Sequence, residues 1–171
     1  SGELVTKEGA CQPIIAGFRA AAMGLPSIPI KGMLGSDLLT ISEVIGSQKQ
    51  IQDPLTGETM IAVRAIEPDV AIIHAQKADE FGNVRIEGPF YEDVIKAKAA
   101  KKVVVTVEEV IPNSEIRRMP EATTLPHFIV DAVVETPRGA YPCSCFNYYE
   151  VEYGHIQEYL KAAAKDQFKE Y

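Results

Sequence analysis

A chain of 171 residues with 17 Lys plus Arg against 24 Asp plus Glu carries a formal net charge of −7, and that acidity argues against nucleic acid and against anionic membrane surfaces as partners. Hydrophobic residues make up 46% and charged residues 24%, the balance of a globular chain able to bury a substantial core, which excludes a disordered segment, a collagen and a disulfide scaffold. No apolar run reaches the ~18 residues of a membrane span, and the first residues lack the basic-then-apolar pattern of a signal peptide.

In chain order, Leu4–Lys7 predicts a short strand that enters a loop at Glu8-Gly9. Cys11–Met23 predicts a helix, with Ile14, Ile15, Phe18, Ala21 and Ala22 at helical spacing. Gly24 stands where a C-terminal cap belongs, and Pro26 prevents continuation. Ser27–Ile30 predicts a short buried strand, and residues 31–48 a glycine-bearing loop with room for a short helix after Asp37. Gln50–Asp53 and Thr59–Ala65 flank Pro54-Leu55-Thr56-Gly57, the chemistry of a hairpin turn. The apolar run Asp69–Ala75 predicts a strand covered on both faces. Residues 78–83 form a polar loop, followed by a short strand at Val84–Ile86.

Pro89 suits the first position of a helix running to about Lys101, acidic early and basic late as the helix dipole favours. Lys102–Val110 is the clearest strand in the chain. A loop with Pro112, Pro120 and Pro126 leads to a strand at Phe128–Val134, and residues 147–169 predict a C-terminal helix. Strands alternating with helices give an α/β fold with a mainly parallel sheet flanked by helices and an antiparallel hairpin added to it, in a single domain over residues 1–171.

The chemistry-bearing residues are scattered. An odd count of three Cys argues against a disulfide framework and fits reduced thiols in a cytoplasmic protein. Cys143 and Cys145 lack zinc or redox spacing, and His74, His127 and His155 lie far apart in sequence, so no metal site is expected. There is no Walker loop, GxGxxG, HExxH or GxSxG.

Glu8 follows a strand and precedes a helix; it reads either as an acid that simply favours the helix dipole or as a nucleophile or high-pKa acid near a carbonyl substrate. Gln12 either donates to a substrate oxygen or decorates the first helical turn. Cys11 reads as a small core filler, or as a thiol activated by the helix N-terminus. Asp79 reads as a turn-stabilising residue beside Gly82-Asn83, or as a ligand-facing acid at the end of a buried strand. His74 reads as a hydrogen-bonded core histidine. Glu108 and Glu109, adjacent on a strand, point to opposite faces, so they cannot form a catalytic pair and one is solvated.

Three segments carry a resemblance. They are residues 17–26 (GFRAAAMGLP) with Ile28-Pro29-Ile30 and Leu34-Gly35-Ser36-Asp37; residues 68–75 (PDVAIIHA) with Lys77-Ala78-Asp79 and Gly82-Asn83-Val84; and Val105–Val110 (VTVEEV) with Pro126 and Val130–Val134 (VDAVV). In order and spacing the chain resembles the α (A) subunit of family I CoA-transferases, and the Pro-Leu-Thr-Gly hairpin resembles the glutaconate CoA-transferase A-subunit branch.

The resemblance implies a CoA-transferase (NagB/RpiA-like) fold of which this chain is the later portion. In such subunits a Gly-rich strand–loop–helix region precedes the point matching Ser1. It implies transfer of CoA between an acyl-CoA and a carboxylic acid through a glutamyl-CoA thioester, by covalent carboxylate catalysis with oxyanion stabilisation. CoA thioester then enters as substrate and no cofactor is permanently bound. The nucleophilic Glu belongs to the β subunit, so the implied partners are that β subunit and the missing N-terminal α portion, in a hetero-oligomer.

In the family, the loop matching Lys7-Glu8-Gly9 often carries Gln before Gly and faces the active site. The resemblance therefore places Glu8 as catalytic and Gly9 and Gln12 as substrate-binding. Related CoA-thioester hydrolases that open carbon rings use an acid from the α subunit at such a loop, so Glu8 keeps that alternative open. A non-catalytic assembly half is the third reading.

Overall fold

The computed structural model describes residues 10–37, 39 and 48–164. The strand expected at Leu4–Lys7, the helix after Asp37 beyond residue 39, and the helical residues from 165 on lie outside the described residues. Backbone contacts divide the chain into two compact units, Ser1–Ala71 with Tyr91–Val103, and Ile72–Phe90 with Val104–Tyr171.

In the first unit, helix α1 (Cys11–Ala22) ends at Met23, and Gly24 takes φ +68°. The Gly24 N–H donates to the Ala21 carbonyl, and the Leu25 N–H reaches back to Ala20. The glycine stop and the proline beyond it thus work as the sequence implied. Strands β1 (Ser27–Ile30), β2 (Gln48–Gln52) and β3 (Thr59–Arg64) form an antiparallel sheet in the order β1-β3-β2.

The β2–β3 turn is built by Asp53, whose Oδ1 accepts the Leu55 N–H (3.0 Å), the Thr56 N–H (2.8 Å) and the Thr56 hydroxyl (3.0 Å), while Gly57 supplies φ +74°. Those donors, led by the Thr56 backbone N–H, hold the Asp53 carboxyl below its ordinary range. Ile61 and Val63 of β3 are buried, each worth about 1.5–3 kcal/mol of apolar transfer.

Helix α1 packs on β1, on β3 and on helix α2 (Asp93–Ala99). The contact is close because α1 offers Ala16, Gly17 and Ala20, and the Gly17 carbonyl accepts the Ile66 N–H at 3.0 Å. A Cβ on Gly17 would stand 2.6 Å from Ile66 Cγ1 and 3.1 Å from the Arg64 carbonyl oxygen. Gly17→Val is expected to cost about 1–3 kcal/mol by overpacking, read from urea unfolding. A variant as stable as the parent would mean that Ile66 swings aside freely.

The second sheet has the order β5-β4-β6-β7, with β4 (Val70–Ala78), β5 (Val84–Arg85), β6 (Lys102–Val110) and β7 (Ala132–Glu135). Strand β5 pairs antiparallel with β4, and β7 pairs parallel with β6. Strand β6 runs along β4 in the same direction. Its Lys102 N–H donates to the Asp69 carbonyl, and the Ile111 N–H nine residues later donates to Ala78, nine residues past Asp69. The α/β class holds, with a first sheet that is antiparallel throughout and a second that is mixed: antiparallel pairing extends past the hairpin to β1 and β5.

Several boundaries differ from the sequence reading. Helix α2 starts at Asp93, not Pro89: Gly88 takes φ +77° and residues 89–92 turn before the helix. A short helix α3 (Asn113–Arg118), read as loop, forms after Pro112, and its carbonyl ends are gathered by the Arg85 guanidinium, which donates to Glu115, Ile116 and Met119. The run Phe128–Val134 splits into a 3-10 turn (His127–Ile129) and β7, because Phe128 is 77% exposed and its run has no sheet partner before Ala132. The last helix, α4, begins at Tyr153, residues 147–152 being taken up by a turn closed by the Cys145–Tyr149 bridge. Val70 and Ile72 of β4 are exposed, so the cover on both faces expected for this strand is reached only further along it, at Ala75 and Gln76.

Candidate functional site

The residues singled out in the sequence fall into separate places. Glu8 and Gly9 lie outside the described residues. Gln12 sits in the first turn of α1 and is exposed. Its carboxamide lies directly on Gly32, where any Cβ would overlap the Gln12 side-chain oxygen. Gly32 therefore makes room for Gln12, a link between α1 and the loop after β1 that helical spacing could not reveal. Among the described residues no side chain caps the N-terminus of α1, and the first N–H groups of a helix have no partner within the helix itself. Cys11 is exposed, which corrects the reading of it as a core filler: the first turn of α1 turns Pro13, not Cys11, inward.

A second polar constellation lies wholly within the other unit, on neighbouring strands β4 and β6 and the loop that follows β7. Glu108 is buried, and three donors converge on it. Glu108 Oε1 accepts His74 Nε2 at 2.8 Å and the Tyr149 hydroxyl at 2.6 Å, and Oε2 accepts the Arg138 backbone N–H at 2.7 Å. Burial alone would push its carboxyl upward; the Tyr149, Arg138 and His74 donors outweigh burial and hold it below the ordinary glutamate range. The same bond acts in reverse on Tyr149, whose phenol is pushed up to about 12 by burial and by its bond to Glu108.

Since a carboxylate offers only acceptors, His74 Nε2 carries the hydrogen toward Glu108, and in the neutral ring Nδ1 accepts the Thr106 hydroxyl at 2.8 Å. Gly139 lies over the imidazole, since a Cβ there would come within 2.7 Å of His74 Cε1. The buried Cys145 thiol completes the group and is pushed up by burial and by the nearby negative charge of Glu108. Glu109 points outward and is exposed, so the two adjacent glutamates do take opposite faces.

Next to this group, Lys77 pairs with Glu87 at 2.9 Å, and Asn147 donates to the other Glu87 oxygen at 3.2 Å. Lys77 is raised chiefly by its bond to Glu87, and Glu87 is lowered by the same bond. His74 is thus a hydrogen-bonded histidine as read, and Asp79, whose Oδ1 accepts the Phe81 and Asn83 N–H groups of the turn, is the turn-stabilising residue as read. The Thr106, Tyr149 and Cys145 partners were not anticipated. Only the parallel alignment of β4 with β6, which puts residues about 33 apart side by side, could have pointed to the first of them.

The family model described as Coenzyme A transferase matches residues 2–136. The A subunit of glutaconate CoA-transferase from Acidaminococcus fermentans is 38% identical over 176 residues, covering 95% of this chain and 55% of that protein. The crystal structure of the glutaconate CoA-transferase superposes with a TM-score of 0.86 over 94% of this chain and 55% of that one. The A subunit of 3-oxoadipate CoA-transferase from Pseudomonas knackmussii is 39% identical over 133 residues, covering 78% of this chain and 45% of that protein. The IpdA subunit of a cholesterol ring-cleaving hydrolase from Rhodococcus jostii is 33% identical over 151 residues, covering 82% of this chain and 50% of that protein. The chain spans about half the length of these curated relatives.

Proposed function

The chain belongs to the coenzyme A transferase family, and from that premise we propose that it serves as the A-type subunit of an enzyme moving CoA between an acyl-CoA and a carboxylic acid. The observation that carries this reading is the match to glutaconate CoA-transferase, which runs through 95% of the chain in the sequence of its A subunit and 94% in structure. The partner is a B-type subunit that supplies a glutamate nucleophile. Attack of that carboxylate on the acyl-CoA thioester gives an acyl-glutamyl anhydride and free CoA thiolate. The thiolate then attacks the glutamyl carbonyl and releases the first acid, leaving a glutamyl-CoA thioester for the incoming acid to take over. CoA is substrate throughout, and the reaction belongs in an aqueous compartment, the cytoplasm in this reading; no helix among the described residues is long and apolar enough to cross a membrane.

This chain contributes the wall opposite the nucleophile. The N-terminus of α1 and the exposed Gln12 carboxamide seated on Gly32 supply N–H donors for the oxyanion of each tetrahedral intermediate. In this reading Glu8 is the catalytic acid and Gly9, like Gln12, a substrate-binding residue, as the family likeness implies.

A ring-opening hydrolase is the second reading, favoured by the carboxylate at Glu8 and by the 33% identity to the IpdA subunit. In that case Glu8 is the working acid. The complex with the partner subunit is assayed for CoA exchange and for hydrolysis, in the parent and in Glu8→Gln. A transferase keeps its exchange rate within about tenfold and accumulates a thioester on the partner, detected as a mass increase. A hydrolase loses about 10²–10⁴ of its rate when its acid–base group is removed. No exchange with any short dicarboxylate or fatty-acid donor, and no thioester, would refute the transferase reading.

A further inference from the structure

We propose that His74, Glu108 and Cys145 form a binding site for one divalent transition-metal cation of zinc-like softness. Nothing in the sequence pattern marks them, since they come from β4, from β6 and from the loop after β7. Yet one ligand atom from each lies within 4.8 Å of the other two. Imidazole, carboxylate and thiolate are together the ligand set of a borderline cation; a hard cation such as magnesium or calcium takes oxygen donors instead.

The geometry is close to what coordination requires. Bond lengths of about 2.0–2.3 Å to a tetrahedral centre put the donor atoms about 3.3–3.6 Å apart. His74 Nε2 and Glu108 Oε1, now 2.8 Å apart, open by about half an ångström, and Cys145 Sγ, within 4.8 Å of the other two ligand atoms, draws in to bonding distance. Two carboxylate and thiolate charges neutralise the cation in a site where Glu108 and Cys145 are buried.

The surrounding hydrogen bonds already do what outer partners do at metal sites. When the cation takes the place of the hydrogen on Nε2, the ring proton moves to Nδ1 and is donated to Thr106 Oγ1 at 2.8 Å; the Thr106 hydroxyl in turn faces the Ile73 carbonyl at 3.5 Å. Glu108 stays aimed by the Tyr149 hydroxyl and the Arg138 N–H. The thiol proton of Cys145 leaves to solvent as the sulfur binds, so one proton is released per cation when His74 starts neutral. The bound ion would pin the loop after β7 to the sheet, with one coordination position left for water.

The test uses the chain in the assembly in which it is purified, on a Cys11→Ser, Cys143→Ser background that removes the two exposed thiols. After chelator treatment, Zn(II) is added, excess is removed and metal per chain is measured by elemental analysis. Co(II) serves as an optical probe. The expected result is one equivalent of zinc above the Cys145→Ala and His74→Ala variants, and a thiolate-to-cobalt charge-transfer band that disappears in Cys145→Ala. The cobalt band in the parent needs no variant, so a variant that fails to fold does not spoil the test. Equal metal in parent and variants, or no thiolate band in the parent, overturns the proposal.

Discussion

Glu108→Ala is expected to destabilise the protein by about 3–5 kcal/mol, the cost of leaving buried donors without their acceptor. The carboxylate is buried and accepts from His74, Tyr149 and the Arg138 backbone N–H. Its removal leaves three donors without an acceptor in a volume from which water is largely excluded, and each such orphan costs about 1–3 kcal/mol. Part of that loss is recovered if water enters the space, which keeps the total below the sum. Glu109→Ala is the control. The neighbouring carboxylate is exposed, so its loss stays within about 0.5 kcal/mol. Urea unfolding of both variants in chelator-treated buffer decides the matter. A Glu108→Ala midpoint close to that of Glu109→Ala would mean that the loop after β7 does not depend on this carboxylate.

The contrast between those two glutamates shows how far the sequence could be read. Strand alternation puts Glu108 and Glu109 on opposite faces, and that much is a property of the extended backbone. Which of them is buried depends on what lies against each face. The residues that surround Glu108, at positions 74, 138 and 149, are brought in by a strand alignment and by a loop without periodicity. Local rules succeed where the cause is local, as at the glycine stop of α1, the Asp53 turn and β6, whose bounds match the expected ones.

They fail where a distant residue sets the structure. Helix α3 looks like loop because its carbonyl ends are held by Arg85, about thirty residues earlier. Pro89 has helix-starting chemistry, yet Gly88 at φ +77° beneath the Phe146 ring delays the helix. Spacing rules test neighbours in sequence, whereas His74, Glu108 and Cys145 are brought together from two strands and a loop. The expectation for Glu8, Gly9 and Gln12 came from the family likeness and not from a local rule; of the three only Gln12 is described, with its carboxamide lying on Gly32.

Asp79→Asn is expected to lower stability at neutral pH, and the deficit is expected to shrink as the pH falls below about 4. Asp79 is fully buried at the end of β4. Its carboxylate accepts Asn113 Nδ2 at 2.7 Å, Asn83 Nδ2 and the Asn83 N–H at 2.8 Å each, and the Phe81 N–H at 3.1 Å. Asn83 in turn accepts the His127 N–H. One side chain therefore ties together the turn at Gly82, the start of α3 and the 3-10 turn at His127–Ile129. Burial by itself would raise the Asp79 carboxyl; the Asn113 and Asn83 side chains and the two backbone N–H groups outweigh it and leave the group below its ordinary value.

The sign follows from linkage. A carboxyl whose folded pKa is depressed adds stability that is fully present above its unfolded value, near pH 4. That stability is lost as the pH falls through the folded value, because the unfolded chain takes up the proton first. Asparagine carries no such proton, and its amide hydrogens face the donors that the carboxylate accepted. The loss at pH 7 is therefore about 2–4 kcal/mol, from donors left without an acceptor. Parallel urea unfolding curves at pH 7 and at pH 3.5 read both quantities. A gap between parent and Asp79→Asn that stays constant across that interval would show that the carboxylate charge contributes nothing at this turn, and that the bonds matter only through their shape.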